Sequence, residues 1–157
     1  MQLAGATLKS KRAVVSFLLA YVAITILGTF LALGIAAIQH TPLTVEPLQN
    51  QAYLLSERFL PLLNLLVWMA GSWLYFRKAP QGRISGKDAF VLGGFWLAIA
   101  LPLDFIAFVL IKTPLSLSPR DFYIGQFPWI YLIYVCVFLG PVCYMTFRRA
   151  IGKTAPH

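Results

Sequence analysis

Four long apolar runs alternate with polar, charge-bearing segments along the chain. The runs cover residues 13–38, 59–76, 89–111 and 128–147. Each is long enough to cross a hydrocarbon core of about 30 Å as a helix, because an α-helix rises about 1.5 Å per residue. A helix also satisfies its own backbone polar groups in lipid. The pattern predicts an all-α, polytopic membrane protein, a bundle of four transmembrane helices.

Composition supports lipid as the main solvent. Of the 157 residues, 59% are hydrophobic and 11% are charged, whereas a soluble globular domain carries about 25% charged residues. The four runs use roughly half of the chain and leave short connections. We therefore expect a single membrane domain, residues 1–157, and no separate soluble domain.

Basic residues concentrate on one side of the predicted bundle. Ten Lys and Arg flank one side: Lys9, Lys11, Arg12, Arg77, Lys78, Arg83, Lys87, Arg148, Arg149 and Lys153. Three flank the other: Arg58, Lys112 and Arg120. Basic residues favour the cytoplasmic side, so both termini are predicted to be cytoplasmic (N-in/C-in). This topology also explains the net charge of +8, and we expect no nucleic-acid partner.

The two connections on the opposite side carry amphipathic and aromatic sequence. The stretch Pro47–Arg58 predicts a helix lying in the membrane interface. A cluster of aromatic side chains precedes and opens the fourth run: Phe122, Tyr123, Phe127 and Trp129. Aromatic rings are enriched at the level of the lipid headgroups, so the cluster predicts an interface belt.

Asp104 is the acid inside the third run. Its position predicts a depth of about 6 Å outward of the bilayer centre. A carboxylate there costs about 2.5–3.5 kcal/mol on insertion-based scales. Asp104 must therefore face the bundle interior or a water-filled cavity, be paired, or be protonated. Intramembrane acids of this kind often mark proton or ion pathways.

Three further polar residues fall in the same outer layer, one on each of the other runs. They are Thr29, Asn64 and Tyr134, and with Asp104 they predict an inward-facing cluster that binds a ligand or proton. Arg58 and Arg120 lie nearer the outer surface as candidate counter-charges. The alternative is structural, since interhelical hydrogen bonds also hold membrane helices together.

No motif indicates a metal or a cofactor, and we expect neither. The chain has no His-Glu-x-x-His sequence or Cys/His cluster, and His40 and His157 lie outside the apolar runs. An enzyme is the less expected class. It would need a second acid, Asp121 or Glu57, to act with Asp104 near the outer leaflet.

From Trp73 onward the chain resembles an uncharacterised family of small bacterial four-helix membrane proteins. Three features carry the resemblance: Leu74–Lys78 closing the second run, the lone acid in Leu103–Asp104–Phe105, and the aromatic stretches 121–123 and 127–131. The resemblance implies the same four-helix fold and the bacterial inner (plasma) membrane. It implies no known activity.

Three functions remain open at the level of sequence. The leading one is a small transport- or permeation-related protein, or a subunit of one, with Asp104 as a proton- or cation-linked site. The second is a non-catalytic membrane partner, such as an accessory subunit, immunity protein or assembly factor. The third is an outer-leaflet lipid-modifying enzyme. Membrane lipid is the expected surrounding, and a homodimer or a larger membrane complex is left open.

Overall fold

The computed structural model describes residues 8–41, 47–78, 84–111 and 116–154. Four helices account for most of them: α1 Ser10–Gln39, α2 Gln51–Phe76, α3 Gly86–Phe105 and α4 Trp129–Thr154. The described ranges contain no β-strand. All four helices are long and apolar enough to cross a membrane. The predicted all-α fold with four such helices is confirmed.

Local capping explains where the helices begin and end. The Asn50 side chain accepts hydrogen bonds from the amides of Ala52 and Tyr53 and so starts α2. Ser85 and Asp88 form a capping box at the start of α3, which satisfies amides that have no partner within the helix. His40, with φ of 52°, ends α1 in the left-handed conformation.

The interfacial helix predicted for Pro47–Arg58 is wrong over most of its length. Residues Gln51–Arg58 are the first two turns of α2, and a short helical turn, Pro47–Gln49, precedes them. The apolar run starts only at residue 59 because Ser56 and Glu57 are polar. Both side chains are nevertheless buried in the bundle.

Hydrogen bonds between helix ends fix the arrangement of the bundle. Arg12 donates to the Leu74 carbonyl at 2.9 Å, so the start of α1 lies beside the end of α2. Arg149 donates to the Ile84 carbonyl at 3.0 Å, so the end of α4 lies beside the start of α3. We call this end of the bundle the terminal end. The opposite end, where α1 and α3 finish, is the loop end.

Close glycine contacts mark the three main helix interfaces, α1 with α2, α2 with α4, and α4 with α3. A Cβ atom on Gly71 would lie 3.0 Å from the Cβ of Ala20, and one on Gly140 would lie 2.6 Å from the Cβ of Trp68. A Cβ atom on Gly93 would overlap the carbonyl oxygen of Phe138. Small residues let membrane helices approach this closely. By contrast, α1 and α3 touch only slightly.

Two apolar clusters fill the interior. The larger contains the aromatic group Phe17, Trp68 and Trp96, in which the Trp68 and Trp96 ring centroids are 5.3 Å apart. The smaller lies at the loop end and consists of Val109, Phe122, Ile130 and Tyr134. Only 22–33% of each helix's most apolar stretch is buried inside the protein. Most apolar side chains therefore face outward.

Candidate functional site

Asp104 lies on α3 between the two apolar clusters. The Tyr21 hydroxyl, on α1, donates a hydrogen bond to Asp104 Oδ1 at 2.6 Å. Because α1 and α3 otherwise barely touch, this bond is one of the few links between them.

Tyr134, on α4, faces the same carboxylate. Its side chain is 7% exposed, and it interacts electrostatically with Asp104. Its hydroxyl nevertheless has no hydrogen-bond partner in the part of the chain that the structure describes. A buried hydroxyl without a partner is costly. The site thus combines a carboxylate with an adjacent polar group whose hydrogen-bonding capacity is unused.

Neither candidate arginine supplies a counter-charge. Arg58 and Arg120 are both exposed, and within the described ranges neither forms an ion pair with Asp104. The prediction that one of them reaches inward is therefore wrong for this structure. The Asp104 carboxylate instead accepts a hydrogen bond from a neutral hydroxyl, that of Tyr21.

The backbone around Asp104 is irregular. Pro102 lacks the amide N–H that would bond the Ala98 carbonyl in an unbroken helix. Two residues after Asp104 the helix widens into a π-type segment, Ile106–Leu110, where the Ile111 amide donates to the Ile106 carbonyl at 3.0 Å. Such widened turns frequently occur at functional sites.

Two members of the predicted polar cluster lie elsewhere. Thr29 is exposed, and its hydroxyl donates to the Thr25 carbonyl of its own helix at 2.8 Å. Asn64 is buried, but its amide oxygen accepts from the Trp68 indole at 3.0 Å. Equal depth on the helices was the basis of the prediction. The depth of a residue along its helix does not determine which way its side chain points. Both side chains point away from Asp104.

Sequence reasoning missed Tyr21, although a signal for it exists. The Trp96 indole donates to the Ala13 carbonyl at 3.0 Å, and Tyr21 bonds Asp104 eight residues further along both helices. Eight residues are about 2.2 turns of a helix, or about 80° past two full turns, so the two positions on each helix lie on the same broad side. A tyrosine inside an otherwise apolar run, on the helix parallel to the one that carries the acid, was the available clue.

The predicted aromatic belt is only partly outward-facing. Phe127 is 68% exposed, whereas Phe122 is 3% exposed and stacks on Phe108 inside the smaller apolar cluster. The belt prediction is therefore wrong for Phe122. A short helix, Asp121–Gly125, turns this residue inward. Tyr123 and Trp129 are partly buried.

A second acid, Glu57, is more fully buried than Asp104, which is half-buried. Glu57 is 3% exposed and interacts with the side chains of Tyr53 and Gln126. The Gln126 amide in turn donates to the Tyr53 hydroxyl. The sequence placed Glu57 next to an external segment, beside the exposed Arg58, so its burial was not foreseen.

The described part of the chain holds no group of three or more His, Cys, Asp or Glu side chains that could bind a metal. Comparison with protein-family models, with curated proteins and with solved structures finds no match for the chain. The proposed function therefore rests on the geometry around Asp104 and Glu57.

Proposed function

We propose that the chain is a multi-pass protein of the plasma membrane with both termini in the cytoplasm. Large apolar side chains are exposed along all four helices, including Phe30, Leu62, Phe90 and Phe147. A surface of this kind suits lipid and not water. Most of the basic residues described gather at the terminal end: Lys11, Arg12, Arg77, Lys78, Lys87, Arg148 and Arg149. This bias supports a cytoplasmic terminal end.

Within that membrane protein, Asp104 is a site that binds a proton or a monovalent cation. The protein is a small transport- or permeation-related protein or a subunit of one. A single observation carries this proposal: the Asp104 carboxylate sits between helices with no basic partner in the described ranges, while the neighbouring Tyr134 hydroxyl has unused hydrogen-bonding capacity. A half-buried carboxylate between helices, without a counter-charge, favours the binding of a positive charge.

The geometry assigns distinct roles to the two tyrosines. Tyr21 holds the carboxylate on α1 through its hydrogen bond. Tyr134 sits on α4, whose side chains lean toward its N-terminus at the loop end. When Asp104 holds a proton, the Tyr134 oxygen can accept a hydrogen bond from the carboxyl group, and when Asp104 holds a cation, that oxygen can act as a second ligand. After the charge leaves, the hydroxyl can donate to the carboxylate. The widened turn Ile106–Leu110 lets the backbone beside the site adjust.

Flux through reconstituted vesicles tests the function. Purified protein is incorporated into liposomes, a potassium diffusion potential is imposed, and proton and sodium uptake are followed separately. We expect uptake above that of empty vesicles for the unmodified chain. Asp104→Asn should reduce it by about ten-fold or more, because the amide cannot carry the exchangeable charge. Equal uptake by the two proteins would refute the proposal.

The second candidate is a non-catalytic membrane partner. The exposed pair Ile124 and Phe127 at the loop end favours it, because exposed aromatic side chains are common anchors of interfaces. If the chain alone gave no flux, recovery of a stable larger complex in mild detergent would favour this candidate. The lipid-modifying enzyme has less support, since Asp121 is occupied in a local bond with Ser118.

A further inference from the structure

Glu57 lies in the second turn of α2, six residues inside the start of that helix at Gln51. That distance corresponds to about 9 Å along the helix. With 3% of its surface exposed, the carboxylate is removed from solvent by the protein itself, and no surrounding lipid is needed to bury it. Burying an ionised carboxylate without compensation costs several kcal/mol.

The groups around Glu57 compensate only part of the cost of burying its carboxylate. Tyr53 is the titratable side chain that interacts with it, and Gln126 supplies an amide. No charged side chain in the described ranges interacts with Glu57, and the adjacent Arg58 is exposed. Glu57 is therefore surrounded by neutral groups.

The cluster has more acceptors than donors. Gln126 is 7% exposed, and its carbonyl oxygen Oε1 is buried without a hydrogen-bond partner in the described ranges. Its amide nitrogen is already used by the Tyr53 hydroxyl. Pro61 also lacks the N–H to which the main-chain carbonyl of Glu57 would bond in an unbroken helix. A carboxylate and a carbonyl oxygen without a partner, here that of Gln126, are the kinds of ligand that hard cations prefer.

We propose that Glu57, Gln126 and Tyr53 form a second cation site, which takes a proton or a hard monovalent cation such as sodium. The site stands apart from Asp104, since Tyr21 and Tyr134 interact with that acid and not with Glu57. It does not rest on the function proposed for Asp104. The two acids lie at similar distances inside the loop end, because Asp104 is six residues before the end of the third span at Leu110.

Carbodiimide labelling tests this site in the intact chain. Dicyclohexylcarbodiimide reacts with protonated carboxyl groups in apolar surroundings, and mass spectrometry of peptides separates Glu57 from Asp104. We expect an adduct on Glu57 that falls by about ten-fold between about pH 5 and about pH 9. Sodium that suppresses the adduct at constant pH, where potassium does not, would identify a sodium site. A pH effect alone would identify a proton site.

Two variants control the assignment. Glu57→Gln must abolish that adduct and leave the Asp104 adduct in place. Gln126→Met, which keeps the length of the side chain but not its carbonyl, should change the yield at Glu57 several-fold without affecting Asp104. Asp121 bonds Ser118 at the protein surface and should stay unlabelled. An unlabelled Glu57, or a Glu57 adduct that neither pH nor sodium alters, would overturn the proposal whatever happens at Asp104.

Discussion

The four acidic side chains in the described ranges serve two different purposes. Asp88 and Asp121 sit near helix starts. The Asp88 carboxylate accepts a hydrogen bond from the Ser85 amide, and the Asp121 carboxylate accepts one from the Ser118 hydroxyl. A negative charge is favourable there because of unpaired N–H groups and the helix dipole. Glu57 and Asp104 lie between helices, where no such compensation exists. A carboxylate at such a position is costly, which is the physical reason for proposing both acids as cation sites.

The Tyr21 hydroxyl should be energetically coupled to Asp104. In a double-mutant cycle of Tyr21→Phe with Asp104→Asn, we expect a coupling free energy of about 0.6–1.7 kcal/mol, the range measured for interhelical hydrogen bonds in membranes. Unfolding in mixed detergent micelles measures it. Each substitution preserves shape. Because asparagine keeps an acceptor oxygen, the cycle measures what the hydroxyl gains by donating to a carboxyl group and not to an amide.

Thr29 provides the matched control for this cycle. Its hydroxyl bonds its own helix and faces outward, so Thr29→Val combined with Asp104→Asn should show coupling near zero. Coupling at Thr29 equal to that at Tyr21 would mean that the hydrogen bond to Asp104 does not contribute.

At the residue level, sequence identified Asp104 and Tyr134 but not their neighbours. An acid inside an apolar run is conspicuous, because its insertion cost is large. Tyr21 was not conspicuous, because tyrosine is common in membrane helices and a single side chain does not reveal how its helix is rotated. Glu57 stood beside Arg58, and the pair looked like the edge of a run. Only the packing of α2 against the segment that carries Gln126 showed that one is buried and the other exposed.

Among the elements, the contact between α3 and α4 depends on a single glycine. A methyl group on Gly93 would overlap the Phe138 carbonyl oxygen, whereas one on Gly94 would come no closer than 3.9 Å to the edge of the Phe138 ring. Backbone atoms cannot move aside as a side-chain end can. The two neighbouring positions therefore form a matched pair.

We expect Gly93→Ala to destabilise the protein by about 1–3 kcal/mol, the usual cost of overpacking. Gly94→Ala should be neutral or stabilising by up to about 1 kcal/mol, because alanine favours a helix more than glycine does. Thermal unfolding in detergent compares them. Equal losses of stability at both positions would contradict the close approach of α3 and α4.

Hydropathy predicted the middle of each helix well and the ends poorly. The third and fourth helices start within a few residues of the predicted positions, because an apolar composition coincides with the helix there. The second starts at Gln51 and not at residue 59, because the Asn50 cap begins it among polar residues. A hydropathy window cannot detect polar residues that a helix buries against its own bundle.

For the whole molecule, the proposed sidedness predicts which positions impermeant reagents reach. In a chain with Cys136 and Cys143 replaced by alanine, Ile124→Cys at the loop end should react with a membrane-impermeant maleimide in intact cells. Ser10→Cys at the terminal end should react only after lysis. Ile124 and Ser10 are both exposed, so burial does not explain a difference. The reverse pattern of labelling would contradict the cytoplasmic placement of the termini.

The number of helices and the clustering of basic residues could be read from sequence, because both depend on composition along the chain. The order of packing could not. The chain places α2 against α1 and α4, leaves α1 and α3 nearly apart, and bridges that gap with the Tyr21–Asp104 bond. Such an arrangement depends on the close approach of neighbouring helices at Gly71, Gly93 and Gly140. The hydrophobic periodicity of the sequence does not show which helices approach there.

Ion uptake by reconstituted vesicles, compared between matched acid variants, tests whether Asp104 binds the transported proton or cation. Asp104→Asn removes the proposed site, whereas Asp121→Asn makes the same chemical change at a surface cap. We expect proton or sodium uptake to fall by about ten-fold or more in Asp104→Asn and to stay within about two-fold of the unmodified chain in Asp121→Asn. Uptake that is equal in the two variants would contradict this expectation.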